Sequence, residues 1–278
     1  MDDNKKQFTH FKVHSQYSIC EGAIKIEDLA KFCKDNKVRA IGLSDSFNLC
    51  GALEFSEAIS KVGTQPIIGT QINFIFSDLI GKIPIFAKTE KGFRNLTKLS
   101  SKSYLDVESS KPPHCQIEDL IKNNEDLIIT SGGLDSLFLK LIKKNNPKVV
   151  EEFISKIKSV FGDRFYLEIQ RHNDLEEKFL ESNLLDLSRK NKIPLIASQE
   201  VFYIEKDMFE AHDALLCIGQ KTYINEENRK RYSDQHYIKS TEEIIKIYED
   251  IPEALENNYN FPFRFSYKPK KSEPNLPS

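Results

Sequence analysis

No stretch of the 278-residue sequence approaches the roughly 20 consecutive apolar residues of a membrane-spanning helix. The charged opening MDDNKKQF has no apolar run behind it to act as an export signal. Both absences point to a soluble chain that stays in the cytoplasm, with no membrane partner. Cysteine is sparse and scattered: five residues, at positions 20, 33, 50, 115 and 217, an odd number with no C-x-x-C pair. That excludes a disulfide framework and a zinc ribbon, and fits reduced thiols. An excess of one charge is lacking too. With 40 Lys and Arg against 42 Asp and Glu the net charge is −2, so no overall field draws the chain to nucleic-acid phosphates. No internal repeat or low-complexity tract stands out. What is present is 39% hydrophobic and 29% charged residues, enough to bury a core, in a length that suits one large α/β barrel or two ordinary domains.

Strand-like apolar runs alternate with helix-period segments almost from end to end, the pattern of βαβ units around a parallel sheet. The runs fall at 8–14, 38–43, 66–75, 82–88, 126–130, 164–169 and 193–197, and amphipathic stretches at 25–36, 51–62, 148–161 and 176–191 lie between them. In 176–191, Phe179, Leu180, Leu184 and Leu187 fall on one helical stripe. About seven strands with helices between them predict one closed or nearly closed barrel. Two segments break the regularity: a polar loop at 106–116 and a tail from 261 with four prolines, a basic run and no periodicity. The tail reads as a linker, 261–278, following a domain at 1–260.

Parallel α/β sheets bind ligands at the carboxyl ends of their strands, so the polar residues just past each strand are the candidates. They are His14, Ser15 and Glu21; Ser44, Asp45 and Ser46; Gln71; Ser131, Gly132 and Gly133; Gln170, Arg171 and His172; and Ser198, Gln199 and Glu200. Pleating puts His10, Lys12 and His14 on one face of the first strand, so alternate histidines could face a cation, but the middle position is a lysine. From the residues alone His10 and His14 read as hydrogen-bonded structural histidines. No G-x-S-x-G elbow surrounds Ser44 or Ser46, so Asp45 reads as part of a strand-end turn. Ser131-Gly132-Gly133 reads as an ordinary strand-to-helix turn rather than a phosphate cradle. His114, His212 and His236 have no metal-binding neighbours in sequence and are assigned no chemistry.

FTHFKVHSQYSICEGAIKI at 8–26 resembles the opening of the PHP (polymerase and histidinol phosphatase) domain of bacterial DNA polymerase III alpha subunits. LSDSFNLCGALEF at 43–55, QPIIG at 65–69, GFRNLTKLSS at 92–101, LIITSGG at 127–133, AHDALLCI at 211–218 and DIPEALEN at 250–257 continue the resemblance in order. The family implies a distorted seven-stranded (β/α) barrel. In members with an active site, nine side chains at the strand ends hold a metal cluster for phosphoester hydrolysis, in some cases proofreading. Carried onto this chain, the resemblance implies that three ligand-type positions survive, His14, Glu21 and Glu200. It implies losses at Lys12, Ser46, Gln71, Lys102, Gly133 and Phe202.

A charged lysine has no lone pair to give a metal. A unit charge about 4 Å from a dication costs roughly 8 kcal/mol at an effective dielectric of about 20, comparable with the binding free energy of a good site. The expectation is therefore that Lys12, with Lys102, stands in for the cations and pairs with Glu21 and Glu200. No catalytic residue, metal or other cofactor is then expected in this stretch. The family further implies a structural role at the N-terminus of the alpha subunit, against the polymerase body of the same parent chain and, in some lineages, the separate proofreading exonuclease subunit. DNA would be met only through the holoenzyme. The parent chain would be a nucleotidyltransferase, a DNA-directed DNA polymerase, whose Mg2+-binding carboxylates lie beyond position 278. The rival expectation is an active phosphoesterase or 3′–5′ exonuclease using Zn2+ or Mn2+ on a reduced ligand set.

Overall fold

The computed structural model describes residues 6–271. The chain runs β1 (Lys12–Val13), α1 (Ile26–Asp35), β2 (Ala40–Ser46), α2 (Ala52–Lys61), β3 (Gln65–Phe76), β4 (Leu79–Ala87) and α3 (Glu90–Leu105). It continues through β5 (Cys115–Gln116), α4 (Ile117–Lys122), β6 (Leu127–Thr130), α5 (Leu137–Lys143), α6 (Pro147–Phe161), β7 (Phe165–Gln170) and α7 (Leu175–Asn191). β8 (Leu195–Ser198), β9 (Glu200–Val201), α8 (Phe209–Gln220), α9 (Thr241–Ile247) and α10 (Pro252–Asn260) complete it. The strands form one sheet in the order β8-β7-β6-β4-β3-β2-β1-β9, with the short β5 beside β3. β9 pairs in parallel with β1, and only Gln199 separates it from β8, so the two ends of the sheet meet in a nearly closed barrel.

All seven expected strands are present, but two features depart from the reading. The first run is hydrogen-bonded as a strand only at Lys12–Val13, flanked by β2 and β9. The barrel is also not wholly parallel. β4 runs antiparallel to both β3 and β6. β3 and β4 are joined by Ser77-Asp78 with φ of 49° and 64°, a two-residue hairpin of the type whose positive φ values match the twist of the strands. Ser-Asp lacks the glycine that marks such turns in a sequence, which hides the reversal.

The pleat sorts the interior. Ala40, Ile67, Phe86, Ile128, Tyr166 and Ile196 lie near the starts of β2, β3, β6, β7 and β8 and the end of β4, and form one buried apolar cluster with Phe11. Two residues further along β6, β7 and β8 the same face carries Thr130, Glu168 and Ser198. The barrel is thus filled by hydrocarbon at one end and by polar side chains at the other. The opposite faces of the strands pack under the helices; Leu167, Ile169, Leu180 and Leu184 join one large cluster, and Ile41, Leu43, Leu29 and Phe55 another.

Phe261 and Phe265 close the apolar end of the barrel, with Phe261 against Phe11 at 4.6 Å between ring centroids. Ser266 N–H then donates to Lys88 O, and Ser56 Oγ donates to Pro269 O. The domain therefore extends past 260: the boundary placed at 261 cuts through packed core, because a proline-rich stretch without periodicity can still anchor by isolated aromatics. The remainder of the expected linker, 272–278, lies outside the described residues.

Candidate functional site: the charged barrel mouth

Lys12 is completely buried, and its Nζ sits 3.0 Å from Glu168 Oε1 and 3.4 Å from Glu200 Oε2. Burial by itself favours the neutral amine, but Glu168 and then Glu200 outweigh it and raise the lysine's pKa. Burial likewise pushes the Glu200 carboxyl up, and Lys12 and His14 more than reverse this, holding it well below the usual carboxylate range. Glu200 Oε1 also meets His14 Nε2 at 2.9 Å and accepts from Gln71 Nε2 at 2.7 Å. Glu168 accepts from Thr130 Oγ1 and Gln170 Nε2, each at 2.5 Å. Ser18 has one hydroxyl proton, given to Asp45 Oδ1 at 2.7 Å, so the contact of 3.0 Å between Ser18 Oγ and His14 Nδ1 has the histidine as donor.

A second cluster surrounds Glu21. Its carboxylate accepts from Ser46 Oγ at 2.5 Å, Tyr232 OH at 3.0 Å and Lys82 Nζ at 3.2 Å, with Lys230 Nζ at 3.6 Å. Burial opposes ionisation there, but Lys82, then His14 and Lys230, hold Glu21 far below the ordinary carboxylate range. Lys230 also binds Asp135 at 2.6 Å. Phe202 stacks on His14 at 4.5 Å and on Tyr232 at 4.3 Å, placing an apolar ring between the two clusters' partners.

Behind Glu200, His172 and His236 stack at 3.9 Å and 7°. His172 Nδ1 contacts Glu177 Oε1 at 2.5 Å while its Nε2 accepts from Glu200 N–H at 3.1 Å; His236 Nδ1 donates to Glu200 O at 2.9 Å. The pair thereby holds both backbone groups of Glu200, its N–H and its carbonyl. Burial lowers the pKa of both rings, His172 to about 3, so both are neutral at pH 7.

Of the positions singled out from the sequence, His14, Glu21, Glu200, Lys12, Ser46, Gln71 and Phe202 converge at this mouth, and Gly133 lies against Gln170. Lys102 does not. It is on α3, 37% exposed, bound to Asp106 and 3.5 Å from Asp119. Lys12 meets Glu200 as expected, and the expected pairing is corrected in two respects: the second carboxylate at Lys12 is Glu168 rather than Glu21, and the cations at Glu21 are Lys82 and Lys230. Lys82 escaped notice because β4 is antiparallel, so its beginning, not its end, reaches the mouth. Glu168 lies inside a strand rather than past its end; its only signal is a lone carboxylate in the apolar run FYLEI. Asp135, Lys230 and Tyr232 come from irregular segments with no sequence signal. His212, set aside from the sequence, donates from Nε2 to Glu21 O at 2.8 Å, and Arg171 instead points outward to Glu181 and Asp250.

The donor set does not fit a metal cluster. Both oxygens of Glu21 and of Glu200 already face ammonium, amide or hydroxyl protons. Among the described residues no group of three or more His, Cys, Asp or Glu side chains is placed to hold a cation. Three ammonium groups, Lys12, Lys82 and Lys230, stand among the carboxylates, where a metal ion would be repelled.

Comparison with known proteins agrees with this architecture. The PHP domain family matches residues 10–172. DNA polymerase III subunit alpha of Caulobacter vibrioides is 34% identical over 287 residues, spanning 100% of this chain and 25% of that protein. The same subunit of Rickettsia conorii is 36% identical over 99% of this chain and 23% of its own length. That of Borreliella burgdorferi is 36% identical over 91% of this chain and 23% of its own. The chain thus spans about a quarter of the length of the curated relatives it matches. With the family match covering more than half of the sequence and the barrel in place, this chain belongs to the PHP domain family.

Proposed function

We propose that this chain is the PHP region of a replicative DNA polymerase III alpha subunit and acts there as a scaffold rather than a phosphoesterase. The observation that carries the reading is the ion-paired mouth: Lys12 and Lys82 pair with Glu168, Glu200 and Glu21 from inside the barrel. A lysine keeps the buried carboxylates ionised and the strands in place, but supplies neither a Lewis acid nor an activated water. The partners consistent with this role are the polymerase body of the parent chain and the proofreading exonuclease subunit, with DNA met only through the assembled enzyme. The near-balanced net charge of −2 supports a domain that does not grip DNA itself.

Metal analysis tests the site directly. The chain dialysed after exposure to zinc and manganese is expected to retain neither in stoichiometric amount; retention of either, or manganese-dependent hydrolysis of a primed DNA end that vanishes in Glu200→Ala, overturns the reading. Pull-down with the exonuclease subunit of the same organism tests the scaffold role. No binding by either this chain or the full alpha subunit counts against it.

A further inference from the structure

Residues 221–240 join α8 to α9 without a helix or a strand of their own. An irregular stretch of that length inside a compact domain is uncommon and usually carries a function. Its two ends are fixed by the backbone. Thr222 N–H donates to Cys217 O at 3.0 Å, and His236 O accepts from Phe202 N–H at 3.0 Å. Between them, among the described residues, 227–235 make no backbone-to-backbone hydrogen bond. Side chains hold this span instead, and alternate residues turn to opposite partners. Arg229 donates twice to Asp213 on α8, Nη1 to Oδ1 and Nη2 to Oδ2 at 2.6 Å each, and Arg231 Nη2 reaches Asp213 Oδ2 at 3.2 Å. Lys230 and Tyr232 point the other way, into the charged mouth. Lys230 Nζ lies 2.6 Å from Asp135 and 3.6 Å from Glu21, and Tyr232 OH donates to Glu21 Oε1 at 3.0 Å while its ring stacks on Phe202. The remaining ties are also made by side chains: Gln220 takes both backbone groups of Lys230, and Ser233 Oγ donates to His172 O at 2.7 Å.

The latch on Asp213 is buried, with the Arg229 side chain 1% and the Asp213 side chain 6% exposed. Without its carboxylate the guanidinium would be left buried and unpaired, at a large cost. On a span with no ladder of backbone hydrogen bonds, that cost is relieved when the span swings out and gives the guanidinium water. Lys230 and Tyr232 would leave the mouth with it, uncovering Glu21 and Phe202 and leaving Lys82 as the one ammonium against Glu21 and Asp135. We propose that residues 222–235 are a lid on the barrel mouth, latched by Arg229 on Asp213 and seated by Lys230 and Tyr232, which opens as a unit while the barrel stays folded. Metal retention, which would overturn the scaffold reading, leaves the lid standing, because a lid can cover an inert mouth or an active one.

The test combines limited trypsin digestion of the chain with acetylation footprinting of its lysines, on wild type, Asp213→Asn and Lys230→Gln. Cleavage after Arg229, Lys230 or Arg231 requires the span to leave the mouth, and when cleavage is slow its rate follows the population of the open lid. Asp213→Asn is expected to raise the cleavage rate at these bonds by at least about tenfold. Lys82, whose side chain is 10% exposed, is expected to be labelled faster in parallel, while the wholly buried Lys12 stays unlabelled. Lys230→Gln, at a side chain 42% exposed, leaves the buried latch in place and is expected to speed cleavage after Arg229 and Arg231 by roughly threefold. Unchanged cleavage in either variant overturns the lid. So does faster cleavage without a rise at Lys82, which would make the span a frayed loop that covers nothing. Labelling of Lys12 as fast as Lys82 in Lys230→Gln, the milder variant, overturns it as well, since the whole barrel would then be opening.

Discussion

Replacing Lys12 with methionine removes a charge and little volume, and the consequence follows from two distances. Lys12 Nζ is 3.0 Å from Glu168 and 3.4 Å from Glu200, with the lysine wholly buried. At an effective dielectric of about 20 each contact is worth ~5 kcal/mol of attraction, most of which offsets the cost of taking three ions out of water. Removing the cation leaves that cost and deletes the attraction, so Lys12→Met is expected to destabilise the fold by ~3–5 kcal/mol at pH 7, about 10 °C in Tm. The loss should depend on pH with a definite sign. In wild type Lys12 helps hold Glu200 well below its ordinary pKa; without it the burial that opposes ionisation has lost its largest counterweight, and the Glu200 carboxyl rises toward and above its unfolded value. A raised carboxyl pKa means the folded state binds the extra proton, so the deficit of the variant is full at pH 7 and shrinks as pH falls towards about 5. Urea unfolding of both proteins across that range measures it. A deficit under about 1 kcal/mol, or one that does not change with pH, would refute the claim that Lys12 is the counter-cation of the barrel. Adding Glu200→Gln to Lys12→Met should recover part of the loss, because one of the two stranded charges is gone.

Glu21→Gln should cost ~2–4 kcal/mol at pH 7, since Lys82 and Lys230 lose their shared carboxylate; in wild type the contribution of this depressed carboxyl is present above about pH 4.5 and fades as pH falls, and the variant should lack that dependence in denaturant titrations. The buried neutral histidines predict a separate acid limb. His10 and His172 are lowered to about 4 and about 3, so the unfolded state binds protons first and each ring lowers stability by ~1.4 kcal/mol per pH unit below about 6.5; calorimetry should show Tm falling from pH 7 to 5, and a flat profile would contradict the assignment. At Gly133 an added Cβ would fall 2.1 Å from Gln170 Oε1, so Gly133→Ala should destabilise by ~1–3 kcal/mol, and Gln170→Ala in the same chain should relieve the clash. If the double variant is no better than Gly133→Ala alone, the clash is not the cause.

Much of the barrel was legible because its signals are local. A strand buried on both faces reads as an apolar run, as in Leu127–Thr130 and Leu195–Ser198, and an amphipathic helix shows its stripe, as in Pro147–Phe161 with Phe153, Ile154, Ile157 and Phe161 buried; of the stripe read in 176–191, Leu180 and Leu184 are buried but Phe179 is 47% exposed. His14, Glu21, Gln71 and Glu200 could be named because chain direction alone puts strand ends at a ligand face. Lys82 and Glu168 could not, since one depends on a strand reversal set by a Ser-Asp turn and the other on which face of β7 turns inward. The tail beyond 260 misled for a related reason: composition reports the lack of period, not where Phe261 and Phe265 dock.

By itself the sequence determined the α/β alternation, the family resemblance and the polar residues that stand at the strand ends. Each of these depends on residue type and short-range order. Which carboxylate each lysine neutralises was decided only by tertiary structure. Lys102 and Lys82 carry the same charge, yet one lies on a solvated helix beside Asp106 and Asp119 and the other inside the barrel 3.2 Å from Glu21. Ion pairs between residues tens or hundreds of positions apart depend on strand direction, register and burial, and these exist only once the sheet has closed.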